Sequence, residues 1–271
     1  MGEERTFSDL FRRKKPLLAV LHLKPLPGAP LYSGTMDEVY RTALEELEVY
    51  RRSGADGVIV ENFNDMPFFP GRVPAATVAA MAAVTRDIVQ AADVPVGVNV
   101  LRNDAHAAVA VAVASGAEFV RVNVLLGVSV ADQGLVQGVA HDVLRLRSTL
   151  RSSALILADV DVKHAVPLGG RSLREDTRDI TERGLADAII VSGARTGGAA
   201  DIHDVEEVKA NTHLPVLLGS GVNGNNLTGY FSCADGFIVG SCFKVGGQAV
   251  NRVEEERVQR FVNQLEKLRS R

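Results

Sequence analysis

The chain has 271 residues, 46% of them hydrophobic and 23% charged, with a formal net charge of −3; that is the length of one α/β barrel domain, able to bury a core without cross-links. The slight acidity leaves no electrostatic footprint for nucleic acid, and two cysteines, Cys233 and Cys242, argue against a disulfide scaffold and fit a reducing compartment. Residues 1–15 mix charges with Phe7, Leu10 and Phe11, and no later stretch offers eighteen uninterrupted apolar residues, so a cytoplasmic protein without direct membrane insertion is expected.

Residues 16–22 open on Pro16 and run apolar up to His22, a strand whose first residue, having no N–H, costs no ladder bond. A helical pattern follows over 36–52. Gly54-Ala55-Asp56-Gly57 then leads into the apolar run 58–60, and the same phrase returns at Gly116-Ala117-Glu118, Leu185-Ala186-Asp187 and Cys233-Ala234-Asp235. A continuous apolar run after a small acidic turn suits a parallel strand covered on both faces. Strands over 95–100, 154–162 and 215–219 fall between these phrases, and helices are predicted over 74–91, 104–115, 133–151, 171–183, 202–212, 226–232 and 251–268. The alternation predicts an α/β fold, a single (β/α)8 TIM barrel over 17–271 with an N-terminal extension over 1–16. An open doubly wound sheet is the competitor; the phrases interleaved around eight strands favour closure.

In such a barrel catalytic groups stand at the C-terminal ends of the strands. These ends carry His22, then Glu61 and Asn62, then Asn99, Arg102 and Asn103, then Arg121 and Asn123. On the fifth strand Asp159, Asp161 and Lys163 are spaced two apart, one face of an extended chain, with His164 following. Three readings stay open. Asp159, Lys163 and Arg121 form a structural ion network; or Asp159, Asp161 and Glu61 are acid/base groups or oxygen ligands of a divalent cation, with His22 or His164 as proton carrier or ligand; or Lys163, beside Arg121, is a Schiff-base nucleophile.

Gly219-Ser220-Gly221 after the seventh strand and Gly240-Ser241 after the eighth stand where such barrels hold phosphate, so the C-terminal face is expected to be of the phosphate-binding type. Ser192-Gly193 and Thr196-Gly197-Gly198 after the sixth strand are placed to close over that anion, and Phe68, Phe69 and Pro70 to form a wall. The long connection from Asn123 to Ala154, with Asp132-Gln133-Gly134 ahead of its helix, reads as a lid or a subunit contact. His106, His141, His203 and His213 read as surface or packing residues.

Several strings go further. Leu23-Lys24-Pro25-Leu26-Pro27-Gly28, Val60-Glu61-Asn62-Phe63, Asn99-Val100-Leu101-Arg102-Asn103-Asp104, Arg121-Val122-Asn123-Val124-Leu125, Asp132-Gln133-Gly134, Ala158-Asp159-Val160, Val162-Lys163-His164-Ala165 and Gly219-Ser220-Gly221-Val222 resemble the BtpA/SgcQ family, from about Leu17 to Phe261. The resemblance implies an aldolase-like or phosphate-binding barrel, one member type being named for photosystem I biogenesis and another encoded with sugar-uptake genes; no agreed reaction comes with it. It places family motifs on Glu61, Asn99, Arg102, Asn103, Arg121, Asn123, Asp159 and Lys163 without assigning their roles.

Two functions are therefore carried forward. The first is an enzyme of isomerase or lyase type acting on a sugar phosphate or nucleoside derivative, in which Asp159 or Asp161 moves a proton, Glu61 or His22 is the opposite acid or base, and Lys163, Arg121 and Asn123 stabilise negative charge. The second is a non-catalytic ligand-binding or assembly factor, such as one serving photosystem I biogenesis. A homo-oligomer is expected in either case.

Overall fold

The computed structural model describes residues 5–161, 165–193 and 198–271, the side chain of Asp161 excepted. A short helix α1 (Phe7–Leu10) precedes β1 (Leu17–His22), α2 (Asp37–Ser53), β2 (Gly57–Glu61), α3 (Ala75–Ala91), β3 (Val96–Asn99), α4 (Ala105–Ser115) and β4 (Phe119–Val122). After β5 (Val128–Ala131), β6 (Gly134–Gln137) and α5 (Ala140–Thr149) come β7 (Leu155–Asp161), β8 (Ala165–Pro167), α6 (Leu173–Glu182) and β9 (Ala188–Val191). The chain ends with α7 (Ile202–Ala210), β10 (Val216–Leu218), α8 (Leu227–Tyr230), β11 (Gly236–Val239) and α9 (Glu255–Arg269). Eight parallel strands close into a barrel in the order β1-β11-β10-β9-β7-β4-β3-β2. The TIM barrel expected from the sequence is the fold.

The recurring acidic phrase has a structural reason. The Asp56 carboxylate accepts the backbone N–H of Leu17 at 2.8 Å, while the Asp56 N–H donates to the Leu17 carbonyl at 2.9 Å. Asp187 does the same with Ile156, and Asp235 with Val216. Each acid pins the first residues of a neighbouring strand at both backbone groups, and so fixes the register from which side chains alternate in and out.

Helix α2 shows how the outer layer is made. Val39, Ala43, Leu47 and Tyr50 are buried at helical spacing, Asp37 and Glu38 lie in the first turn, Arg51 and Arg52 in the last, and Gly54 at φ 88° ends the helix. Inside the barrel Leu18, Val20, Ile59, Phe119, Leu155, Leu157, Ala188, Ile190, Leu217 and Ile238 form a second apolar cluster, distinct from the one under the helices. Phe7, Leu10 and Phe11 join it, with Phe11 edge-on to Phe119 at 5.5 Å, so the first described residues stopper the barrel beneath β2.

Phe119 crosses the interior because β3 carries glycine where it passes: a Cβ on Gly97 would lie 2.2 Å from the Phe119 ring. Gly97→Val is expected to cost about 3 kcal/mol or more, at the upper end of overpacking effects, seen as a lower urea midpoint at unchanged slope.

The sequence reading of one helix over 133–151 is corrected. Residues 128–137 form a β-hairpin in which Ala131 pairs with Gly134, leaving Asp132 and Gln133 as its two-residue turn, and only Ala140–Thr149 is helical. The apolar spacing of Leu135, Val136, Val139 and Val143 imitates a helix, but Gly134 sits at φ 94° and a Cβ at Gly138 would meet the Leu126 backbone at 2.6 Å. β8 adds to the hairpin as a third antiparallel strand. Among the described residues no helix is long and apolar enough to cross a membrane.

Candidate functional site

Side chains alternate along a strand, so stepping two residues on from the interior apolar cluster reaches the next inward layer. From Val20, Ile59, Phe119, Leu157, Ile190, Leu217 and Ile238 the step arrives at His22, Glu61, Arg121, Asp159, Ser192, Gly219 and Gly240, and from Gly97 at Asn99. The floor of the barrel mouth is thus polar on most strands and side-chain-free on β10 and β11. Above it lies a cavity of about 580 Å³.

The floor is built around an ion pair. Arg121, 5% exposed, donates from Nε and Nη2 to the two Asp159 oxygens at 3.1 and 3.0 Å. Asn123 donates to Asp159 at 2.7 Å and Ser192 at 3.3 Å, so among the described residues the carboxylate accepts four hydrogen bonds. Burial pulls the Arg121 guanidinium down, but the charges of Asp159 and Glu61 outweigh it and hold its pKa above the ordinary arginine value. Arg102, also buried, is shifted the other way: desolvation dominates, and Asp159 opposes it while Arg121 adds to it. Arg121 lines the cavity; Asp159 stands behind it and instead borders a smaller cavity of about 180 Å³ near β5 and α6.

On the opposite wall His22 Nδ1 lies 3.0 Å from the Ala249 carbonyl, which can only accept, so Nδ1 carries the proton in the neutral ring. Its Nε2 is then the basic nitrogen, 3.9 Å from Glu61 Oε1, and the ring stacks on Phe63 at 4.3 Å.

The loops after β10 and β11 form the third wall. A Cβ on Gly219 would lie 2.4 Å from Ile190 and 2.6 Å from Ser192 Oγ, and one on Gly221, at φ 69°, 2.1 Å from the Gly198 carbonyl. Ser220 Oγ accepts from the Gly193 N–H at 3.0 Å and donates to the Gly198 carbonyl at 3.1 Å, tying the β9 loop to the β10 loop. Among the described residues none accepts the backbone N–H of Gly221, Val222 or Ser241, all of which line the cavity.

Of the residues expected from sequence, His22, Glu61, Asn99, Arg102, Arg121, Asn123, Gly219, Ser220, Gly221, Gly240 and Ser241 line this cavity. Asp159, Ser192 and Asn103 do not. Both ends of the Asn103 amide are spent on backbone, Oδ1 accepting from Val124 N and Nδ2 donating to the Val124 and Gln137 carbonyls, so it anchors the root of the hairpin. The β7·β9 register shifts between Asp159 and Asp161, and the Asp161 side chain lies outside what the structure describes. Lys163, His164, Thr196 and Gly197 lie outside the described residues. Among the described residues no three His, Cys, Asp or Glu side chains converge on a metal-sized point.

Asp132, Gln133 and Arg257 line the cavity without having been singled out as site residues. The first two had been placed ahead of a helix; the alternation of Val128, Val130 and then Leu135 around a polar pair was the available signal. Lys244 also escaped notice. It is 1% exposed and reaches both oxygens of Glu46, at 2.8 and 2.7 Å.

Residues 13–267 match the BtpA family. The chain belongs to that family. A protein of Thermococcus kodakarensis is 44% identical over 94% of this chain and 97% of its own length. The photosystem I biogenesis protein BtpA of Synechocystis is 43% identical over 94% of this chain and 89% of its own. Solved structures share the architecture of this BtpA-family barrel at low identity. Thiamine phosphate pyrophosphorylase from Pyrococcus furiosus superposes with a TM-score of 0.58 at 13% identity, covering 94% of this chain and 96% of that one. For N-acetylmannosamine-6-phosphate 2-epimerase from Clostridium perfringens the TM-score is 0.54 at 15% identity, covering 93% of each. At these identities the likeness concerns the fold.

Proposed function

We propose that this protein is an enzyme acting on a phosphorylated small molecule, a sugar phosphate or nucleoside derivative, by isomerase or lyase chemistry. The observation that carries the reading is the wall made by the β10 and β11 loops, where the Gly221, Val222 and Ser241 N–H groups line the cavity and face no protein acceptor among the described residues. Backbone donors approached without an intervening Cβ suit a phosphate. The structural neighbours named for thiamine phosphate and N-acetylmannosamine-6-phosphate are consistent with it.

The remaining walls supply the chemistry. Arg121 and Asn123, backed by Asp159, stabilise negative charge developing on a carbonyl or enolate oxygen, and Arg102 adds a second cation. His22 Nε2 and Glu61 are the acid and base. Asp159, which the sequence suggested as a proton carrier, is in this reading the counter-ion that orients Arg121, since its oxygens already accept four hydrogen bonds.

The test is ligand-induced stabilisation. Inorganic phosphate and phosphate monoesters are expected to raise the melting temperature, by the equivalent of about 2.7 kcal/mol at a hundredfold excess over Kd. Ser241→Asp, which puts a carboxylate at the loop, is expected to remove the effect. Absence of any shift across a panel of phosphorylated compounds would transfer the case to the second reading, a non-catalytic assembly factor. The Synechocystis relative, a photosystem I biogenesis protein, favours that alternative, as do the exposed Val130, Leu135 and Val166, paired in register across the small sheet.

A further inference from the structure

We infer that Asn99 is a specificity residue of the cavity, its carbonyl oxygen held to demand a hydrogen-bond donor, a hydroxyl, on the part of the ligand remote from the phosphate. The inference rests on the phosphate reading above and narrows it to phosphate monoesters of polyhydroxy compounds.

Hydrogen-bond direction fixes which end of the Asn99 amide is left over. An ionised carboxylate only accepts, so the Asn123 amide must turn its Nδ2 to Asp159, which it does at 2.7 Å. Asn123 Oδ1 is thereby left facing Asn99, and it accepts from Asn99 Nδ2 at 3.1 Å. The same Nδ2 also donates to the Arg121 carbonyl at 3.1 Å, an acceptor that cannot reverse. Both partners forbid the amide from flipping. Asn99 Oδ1 is what remains, and it has no partner among the described residues although the side chain is 1% exposed. A buried oxygen left without a donor is costly, and such costs persist where a ligand relieves them.

Position adds the second half. Asn99 lines the cavity from β3, and the Gly219–Gly221 loop follows β10, four strands away in an eight-stranded ring. The two therefore face each other across the mouth. A ligand with its phosphate against the β10 and β11 loops presents its far end to Asn99: a hydroxyl that reaches Oδ1, an atom closed to water in this structure, satisfies it, whereas an ether, a ketone or an alkyl carbon leaves it orphaned.

The experiment compares linear polyol monophosphates of four to six carbons with the alkyl monophosphates of matching length, by calorimetric titration, with inorganic phosphate as reference. For at least one length the wild-type protein is expected to bind the polyol phosphate at least about tenfold more tightly than its alkyl counterpart. That ratio is expected to fall towards one in Asn99→Leu. It is also expected to narrow, though less, in Asn123→Leu, which removes one of the two acceptors that orient the Asn99 amide and leaves the Arg121 carbonyl as the other; a purely structural role of Asn123 weakens polyol and alkyl phosphates alike and does not move the ratio. A wild-type ratio near one at every length overturns the inference while leaving the phosphate reading intact, as does a high ratio that survives in Asn99→Leu. Failure of all the phosphates, inorganic phosphate included, to bind sinks the phosphate reading itself. If Asn99→Leu does not fold, the wild-type ratio together with Asn123→Leu decides.

Discussion

Replacing Arg121 by methionine is expected to destabilise the fold by about 3–5 kcal/mol, because it deprives the buried Asp159 carboxylate of the cation that pairs with it among the described residues. Asp159 is 3% exposed and, among the described residues, receives two of its four hydrogen bonds from that guanidinium; Asn123 and Ser192 cannot neutralise a charge. For a domain of this size the loss corresponds to a fall in melting temperature of roughly 6–20 °C. The double variant Arg121→Met with Asp159→Leu is expected to recover most of that stability, since an apolar pair of similar volume replaces both charges. It should nevertheless fail to respond to phosphorylated ligands. Recovery of stability without recovery of binding separates a cation required by the cavity from one required only by the fold; if the double variant still binds, Arg121 is a purely structural member of the floor.

The second large effect is expected at Lys244. Its ammonium is pulled below the usual lysine range by burial, with Glu46 opposing the shift, and it stands three residues after Ser241. Glu46 lies on α2 and also accepts the Val253 N–H at 3.1 Å, so this one carboxylate ties the chain after β11 to the outer layer in two places. Lys244→Met leaves the carboxylate buried with a single backbone donor and should again cost about 3–5 kcal/mol. It should also weaken phosphate binding by about tenfold or more, because the Gly240–Ser241 backbone loses its anchor and donors must be held in place to act on an anion. Unfolding in guanidinium and titration with inorganic phosphate measure the two effects separately. Loss of stability with unaltered phosphate affinity would mean that the loop keeps its shape without the pair.

Much of this barrel is written locally. The phrase with Asp56, Glu118, Asp187 and Asp235 announces strands because a short turn, an acid and an apolar run are local requirements, and three of those carboxylates do close onto the adjacent strand's N–H. Proline at 16, 95 and 215 marks strand starts for a reason internal to one residue. Once the strands are known, the alternation of side chains names His22, Glu61, Asn99, Arg121 and Asp159 as inward-facing, and the glycines at 219 and 240 as the bare part of the mouth. The family, too, was legible in these strings.

What sequence spacing left undecided depends on partners far along the chain. Nothing local says that Asp159 is spent on Arg121, 38 residues earlier, or that the direction of that bond passes through Asn123 to leave one oxygen of Asn99 unmet. Residues 133–139 satisfied a helical pattern, while Gly134 at positive φ and the close approach of Gly138 to the Leu126 backbone go with a hairpin that brings Asp132 and Gln133 to the cavity. Lys244 and Glu46 are 198 residues apart. Periodicity is a property of one segment, so the sequence by itself determined which residues point into the barrel; charge pairing and hydrogen-bond polarity belong to groups from different segments in contact, so the closed structure alone decided which of those residues are occupied with one another and which line the cavity.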